Sequence, residues 1–130
     1  MDLEKIFKNL IIIDAVMLVV TLIVAFNESD YIIELQEQLP QGINATGAGI
    51  IFNLLIVIAY IVNLFMLYKY ISFGKPLYLI LFCISILLSL MSGVLVMNAF
   101  LYTLAWLGSA ISGALLVLLY YSPIKTKFEK

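Results

Sequence analysis

The segment Leu10–Phe26, LIIIDAVMLVVTLIVAF, is apolar at every position except Asp14 and Thr21. As a helix, its seventeen residues would rise about 26 Å, which is close to the hydrocarbon thickness of a bilayer, about 30 Å. A signal peptide would carry small residues at a cleavage site after the apolar core, and Ala25-Phe26-Asn27 does not provide one. The segment is therefore predicted to be a retained membrane span, the first in the chain.

The composition of the whole chain agrees with a membrane environment. Of the 130 residues, 65% are hydrophobic and only 12% are charged, whereas soluble domains are about half apolar and a quarter charged. A soluble fold of this length could not bury so much apolar surface. We therefore predict an all-α integral membrane protein in which residues 1–130 form a single transmembrane domain.

Three further apolar segments complete a predicted four-helix transmembrane bundle. Residues 47–68 form the second span. Residues 76–124 carry no charge and would reach about 74 Å as one helix, so this run must fold back once. The best break is Met97-Asn98-Ala99-Phe100, which predicts spans over residues 10–26, 47–68, 77–97 and 102–121.

The distribution of charge predicts the orientation of the bundle. All seven basic residues are lysines, and they lie before the first span, between the second and third spans, and after the fourth: Lys5, Lys8, Lys69, Lys75, Lys125, Lys127 and Lys130. The positive-inside rule then places both termini in the cytoplasm, in a multi-pass protein of the inner or plasma membrane. The outer loop, residues 27–46, contains four acids and no lysine, and Asp30–Leu39 is predicted to form a short surface helix.

A small set of polar residues within the spans is the candidate functional site. Asp14 is the only acidic or basic residue in any predicted span, and it should face the bundle interior. The candidate intramembrane polar site comprises Asp14, Thr21, Asn53, Tyr60 and Asn63. Asn63 lies at a depth similar to that of Asp14 and is predicted to be its partner. Asp14 has two interpretations: a proton or cation site, or a structural polar contact.

The last two spans carry small residues that favour close helix packing. These residues are Ser85, Ser89, Ser92, Gly93, Gly108, Ser109, Ser112 and Gly113. Small residues four positions apart let helix backbones approach closely, so the third and fourth spans are predicted to form a tight hairpin. The alternative is that these residues form the face of a dimer.

Several classes of function lack the residues that they need. The chain has no His and no Arg, and its single Cys83 cannot form an internal disulfide. No metal-ligand cluster, no cofactor site and no basic nucleic-acid surface is expected. Without a nucleophile–base pair the protein is predicted not to be an enzyme, and an enzyme acting on membrane lipids is the least favoured alternative.

These observations favour a protein that acts by association. The leading hypothesis is an accessory or assembly subunit of a membrane system, which contacts the lipid bilayer and either other membrane proteins or a second copy of itself. The alternative is a small proton- or cation-coupled transporter, or a channel-forming oligomer, that uses Asp14.

Overall fold

A computed structural model describes residues 2–40 and 42–129, without the side chains of Asn44 and Ala45. Met1, Gln41 and Lys130 lie outside the described residues, so the tail charge expected at Lys130 has no structural counterpart here. Every regular element in the described ranges is helical. The long helices are α1 (Leu3–Phe26), α3 (Gly47–Tyr68), α4 (Gly74–Met91) and α5 (Ala99–Tyr121), and α2 (Asp30–Glu37) is short. Two 3₁₀ turns cover Gly42–Ala45 and Pro123–Phe128.

The four long helices are each long and apolar enough to cross a membrane. Large apolar side chains cover their outer faces, including Val16, Leu55 and Leu87, each more than half exposed. In water this exposure would be unfavourable, but in lipid it carries no such cost. The structure confirms the predicted all-helical architecture with four candidate spans.

Polar side chains mark where these helices begin. Asp2, Thr46 and Asn98 each accept a hydrogen bond from a backbone N–H of the first turn of α1, α3 and α5, respectively. Such caps satisfy backbone donors that have no partner inside the helix. Helix α1 includes the amphipathic residues before its predicted span, and the short α2 falls within the predicted surface helix.

The order of the helices around the bundle differs from the predicted one. Helix α1 packs mainly against α5 and also contacts α3, and α3 packs against α4. Helices α4 and α5 make few close backbone contacts with each other, and at the inner end the Tyr120 hydroxyl of α5 donates to the Lys75 carbonyl of α4 at 3.3 Å. The expected tight hairpin of the last two spans is therefore wrong, because a longer connection separates them than the predicted four-residue turn.

The connection between α4 and α5 begins earlier in the chain than expected. Helix α4 ends at Met91 rather than at residue 97, with Ser92 as its C-cap residue. Gly93 follows with φ of 75°, a left-handed conformation that commonly ends helices and favours glycine. Ser92 and Gly93 thus terminate α4 instead of packing within a span. From here, residues 92–98 cross to α5 without regular secondary structure.

The short helix α2 holds this connection in place. The Gln36 side chain donates from Nε2 to the Val94 carbonyl and accepts from the Val96 N–H, both at 2.7 Å. The Val94 N–H also donates to the Pro40 carbonyl at 3.1 Å. The loop after α2 and the connection after α4 therefore form one hydrogen-bonded unit at the same end of the bundle.

At the opposite end, aromatic rings join both termini to the α3–α4 turn. The Phe7 ring stacks on Tyr70 at 5.9 Å and meets Phe128 edge-on at 6.1 Å. Lys127 forms an ion pair with Glu4 at 3.1 Å. Both termini and the turn after α3 therefore lie at one end, which we call the inner end, and α2 lies at the outer end.

The hydrophobic core is concentrated at the inner end. Its members from the four long helices are Phe7, Ile11, Leu64, Leu67, Tyr78, Leu115 and Leu119, joined by Ile124 and Phe128 from the last turn. Phe7, Leu67, Tyr78, Leu115 and Leu119 are completely buried. The inner half is therefore closely packed, and this packing sets the depth at which the interior of the bundle opens.

Replacing Gly42 tests the packing at the outer end. Gly42 has φ of 49°, and an added Cβ would lie 2.2 Å from the Met91 carbonyl oxygen. We expect Gly42→Ala to lower the free energy of unfolding by about 2 kcal/mol, because strain and overlap both oppose it.

Gly113→Ala is the matched control, since an added Cβ there meets no atom within 4 Å. This second change should leave stability unchanged or raise it by up to about 1 kcal/mol through helix propensity. Unfolding in detergent measures both variants. Equal stability of the two proteins would contradict the close approach of Gly42 to Met91.

Candidate binding cavity

All four long helices contribute to a cavity of about 440 Å³ within the bundle. This volume lies in the range of about 300–1,000 Å³ that is typical of small-molecule sites. Its walls are largely apolar, with Met17, Leu18, Ile56 and Phe82 among them. The polar residues of its wall are Asp14, Thr21, Tyr60, Ser85, Ser89, Ser109 and Ser112. An apolar cavity with a few polar groups has the composition of a ligand site.

Asp14 lies in the wall of this cavity and is only 4% exposed. The Tyr60 hydroxyl donates to Asp14 Oδ2 at 2.6 Å, a short distance typical of bonds to a carboxylate. Within residues 2–40 and 42–129, Asp14 has no ion-pair partner, and the one ion pair found there joins Lys127 to Glu4 at the inner end. An ionised carboxylate in apolar surroundings is costly without a counter-charge. Apolar surroundings therefore favour Asp14 as a protonated, cation-paired or hydrated carboxyl group.

Tyr60 connects Asp14 to the closely packed inner half. Its hydroxyl lies 3.3 Å from that of Tyr78, and the two ring centroids are 5.8 Å apart. Tyr78 belongs to the hydrophobic core and is fully buried. The Tyr60–Tyr78 pair thus places Asp14 at the boundary between the core and the cavity.

The structure brings together three of the five residues of the predicted polar site. Asp14 and Tyr60 are hydrogen-bonded, and Thr21 lines the same cavity. Asn53 is half-buried on α3 and does not line this cavity.

Asn63 is not the partner of Asp14, contrary to the prediction. It is completely buried, and its Nδ2 donates to the Gly74 carbonyl at 2.8 Å. The short turn from α3 to α4 brings that carbonyl within reach, so Asn63 links the two helices by a hydrogen bond. One helical turn earlier, Tyr60 has a longer side chain that reaches across to α1.

The small residues of α4 and α5 border the cavity instead of forming a helix contact. Ser85, Ser89, Gly108, Ser109 and Ser112 all line it. An added Cβ at Gly108 would meet no atom within 4 Å. The Ser85 and Ser109 hydroxyls donate to carbonyls one turn earlier in their own helices, which leaves their oxygen lone pairs able to accept from a bound molecule.

A second cavity, of about 360 Å³, lies at the outer end of the first. The two share Thr21 and Ala105 in their walls. Glu28, Gln36 and residues 95–97 also line the second cavity. The sequence predicts Glu28 only as one acid of the outer loop, and its place in a cavity wall follows from the packing of the connection after α4 beside it.

The chain matches no protein-family model, no curated protein and no solved structure. A function must therefore be inferred from the geometry of the molecule itself. The class of molecule is therefore defined by its architecture: an all-helical protein with four apolar helices that suggest a multi-pass membrane protein. The cavity and the buried carboxylate of Asp14 are the features that indicate a function.

Removing the Tyr60 hydroxyl tests the central hydrogen bond. Tyr60→Phe leaves Asp14 without its donor, so we expect a loss of about 1–3 kcal/mol in the free energy of unfolding. Tyr102→Phe, at a residue that is 58% exposed, is the control and should be neutral.

The double variant Tyr60→Phe with Asp14→Ala separates this interaction from general packing, because alanine has no acceptor for the Tyr60 hydroxyl. Because the two side chains interact directly, the effects of the single changes should not add. Unfolding in mild detergent measures all four proteins of the cycle. Additive effects would contradict a direct bond between Tyr60 and Asp14.

Proposed function

We propose that this protein is a small membrane transporter that binds a cation at Asp14 and exchanges it for a proton. The observation that carries the proposal is a buried carboxylate that lines a bundle cavity and accepts a hydrogen bond from Tyr60, with no basic partner among the described residues. Its function is then solute binding within the bundle rather than catalysis.

The chemistry of Asp14 supports coupling between a cation and a proton. When the cavity holds no cation, protonation removes the cost of a charge in apolar surroundings. When a cation enters, the ionised carboxylate can pair with it and the proton is released. Binding at this carboxylate is therefore competitive, and competition for one site is sufficient to couple the two fluxes.

The rest of the cavity indicates which cations would fit. Apolar groups from Met17, Leu18 and Phe82 provide most of the wall, and serine hydroxyls provide acceptors. A volume of about 440 Å³ exceeds what a bare metal ion needs. These features favour a small organic cation, such as a substituted ammonium ion, over an alkali-metal ion.

The two ends of the bundle differ in a way that supports access from one side. The inner end is filled by core side chains around Phe7 and Tyr78, whereas the outer end carries the second cavity. Transporters by alternating access close one side of a central site while the other side is open. The described geometry has the properties of such a state, open toward α2 and closed toward the termini.

We also propose that the inner end faces the cytoplasm of an inner or plasma membrane. The lysines of both termini and of the α3–α4 turn support this orientation through the positive-inside rule. Single cysteines at Glu37 and Lys125, in a Cys83→Ala background, provide the measurement. In intact cells a membrane-impermeant maleimide should label only the Glu37→Cys protein. Labelling of Lys125→Cys alone would reverse the orientation.

Flux through reconstituted protein tests the transport proposal. Liposomes enclosing a pH-sensitive dye receive inward gradients of Na⁺, K⁺, tetramethylammonium or tetraethylammonium. We expect at least one organic cation to drive proton release from the wild-type vesicles, and Asp14→Asn to reduce that release to the level of protein-free liposomes.

The control for this experiment is Asp30→Asn, the same chemical change at an exposed residue of α2 that lines neither cavity. It should transport as the wild type does. Equal flux from Asp14→Asn and wild type would refute the role of Asp14, and the absence of flux with all four cations would refute the transporter.

Association with another membrane protein is the second candidate function, and one observation favours it. Helices α4 and α5 make few close backbone contacts with each other. Their exposed small residues Ser85, Ser89 and Ser109 form a surface against which a further helix could pack. The native mass of gently solubilised protein distinguishes the candidates. Other polypeptides co-migrating in a fixed ratio would favour an accessory subunit.

A further inference from the structure

We infer that Glu28 is the outer recruitment site for the cation that Asp14 binds, at the entrance of a route that passes Thr21. The inference rests on the proposed transport function and extends it, because it assigns a second binding residue and a direction of entry. The observations that carry it are the shared wall of the two cavities and the lack of a basic partner for either carboxyl group among the described residues.

Asp14 and Thr21 form a polar stripe on one face of α1, and Glu28 follows the end of that helix. Asp14, Thr21 and Glu28 are separated by seven residues each. Seven residues make nearly two helical turns and rise about 10 Å, with a drift of only about 20° around the axis. α1 ends at Phe26 and Asn27 is its C-cap residue, so Glu28 lies just beyond the helix, in the wall of the outer cavity.

The two cavities are adjacent along this stripe. Thr21 on α1 and Ala105 on α5 belong to the walls of both. Glu28 lines only the outer cavity and Asp14 only the inner one. A solute that moves from the outer cavity to Asp14 therefore passes Thr21 and Ala105.

The electrostatics of the route favour cations. No lysine occurs between residues 9 and 68 or between 76 and 124, so α1 beyond Lys8, α2 and the α4–α5 connection provide no counter-charge. Glu28 is half-buried, and its one hydrogen bond in the described chain comes from Asn98 Nδ2 at 3.4 Å, at the long limit for such a bond. The negative charge of Glu28 therefore acts on whatever enters the outer cavity.

The outer cavity also has a fixed wall. Residues 95–97 of the connection after α4 line it, and Gln36 holds this connection through hydrogen bonds to Val94 and Val96. Asn98, at the end of the same connection, donates to Glu28 at 3.4 Å. Glu28 therefore lies beside a part of the wall that is attached to α2.

Charged thiol reagents test the route without a transported solute. Thr21→Cys and Ala105→Cys, each in a Cys83→Ala background, place a thiol at the junction of the cavities. The probes are the cationic reagent trimethylammonium-ethyl methanethiosulfonate and its anionic sulfonate analogue, added to the side that carries α2. Rates are normalised to those of a free thiol in solution.

We expect the cationic reagent to react faster than the anionic one at both positions. Glu28→Gln should lower the cation-to-anion rate ratio about two- to tenfold, as expected for removal of one charge about 10 Å away. Glu37→Gln, which removes an exposed acid of the same outer segment that lines neither cavity, should leave the ratio unchanged.

Two results would overturn the inference. One is an unchanged ratio in Glu28→Gln, and the other is the absence of reaction at both cysteines in protein whose thiols react after denaturation. Because these rates require no flux and no Asp14, their failure leaves the transport proposal to its own test. Charge-selective labelling together with no flux would instead refute the transporter and keep the cation-selective entrance.

Discussion

The packing of Phe7 is the interaction on which the rest of the structure depends. Its ring is completely buried and contacts Tyr70 from the α3–α4 turn and Phe128 from the last turn of the chain. Tyr70 adopts φ of 56°, a left-handed conformation that costs a non-glycine residue about 1–2 kcal/mol. Stacking on Phe7 offsets that cost, and three distant segments are thereby held at one end.

Closure of the inner end determines where the interior can open. On the outer side of Tyr78 the hydrophobic core ends, and the four long helices line the cavity of about 440 Å³. Asp14 lies at this boundary, where Tyr60 donates its hydrogen bond. The position of Asp14 is therefore a consequence of the packing below it, and the same packing prevents entry from the inner side.

The outer end is organised by backbone hydrogen bonds instead of by a core. Gln36 attaches the α4–α5 connection to α2, and Gly42 allows close approach to the end of α4. Few apolar side chains are buried there, so this half has less to hold it closed. A dense inner half and a hydrogen-bonded outer half thus differ in the interactions that hold them closed.

The sequence predicts the helical architecture well, but it predicts the contacts within the candidate site only in part. Asp14 and Thr21 were identified because a carboxylate is conspicuous in an apolar segment. Tyr60 belongs to the predicted polar site because it lies on one face of α3. The sequence nevertheless predicts Asn63, and not Tyr60, as the partner of Asp14. Depth along two helices can be estimated from residue number, whereas the reach of a side chain between helices depends on how they are rotated.

The sequence by itself determined the number of long apolar helices, the short helix near residues 30–37 and the absence of strands in the described chain, because these follow from local hydropathy, length and caps. Only the tertiary structure decided that α4 and α5 make few close backbone contacts, that Ser85 and Ser109 border a cavity, and that Tyr60 donates a hydrogen bond to Asp14. The long helices are apolar on nearly all faces, so no polar face marks which side turns inward. Which helices meet is then decided by side-chain shape and by single hydrogen bonds, and these become visible only when all four helices are in place.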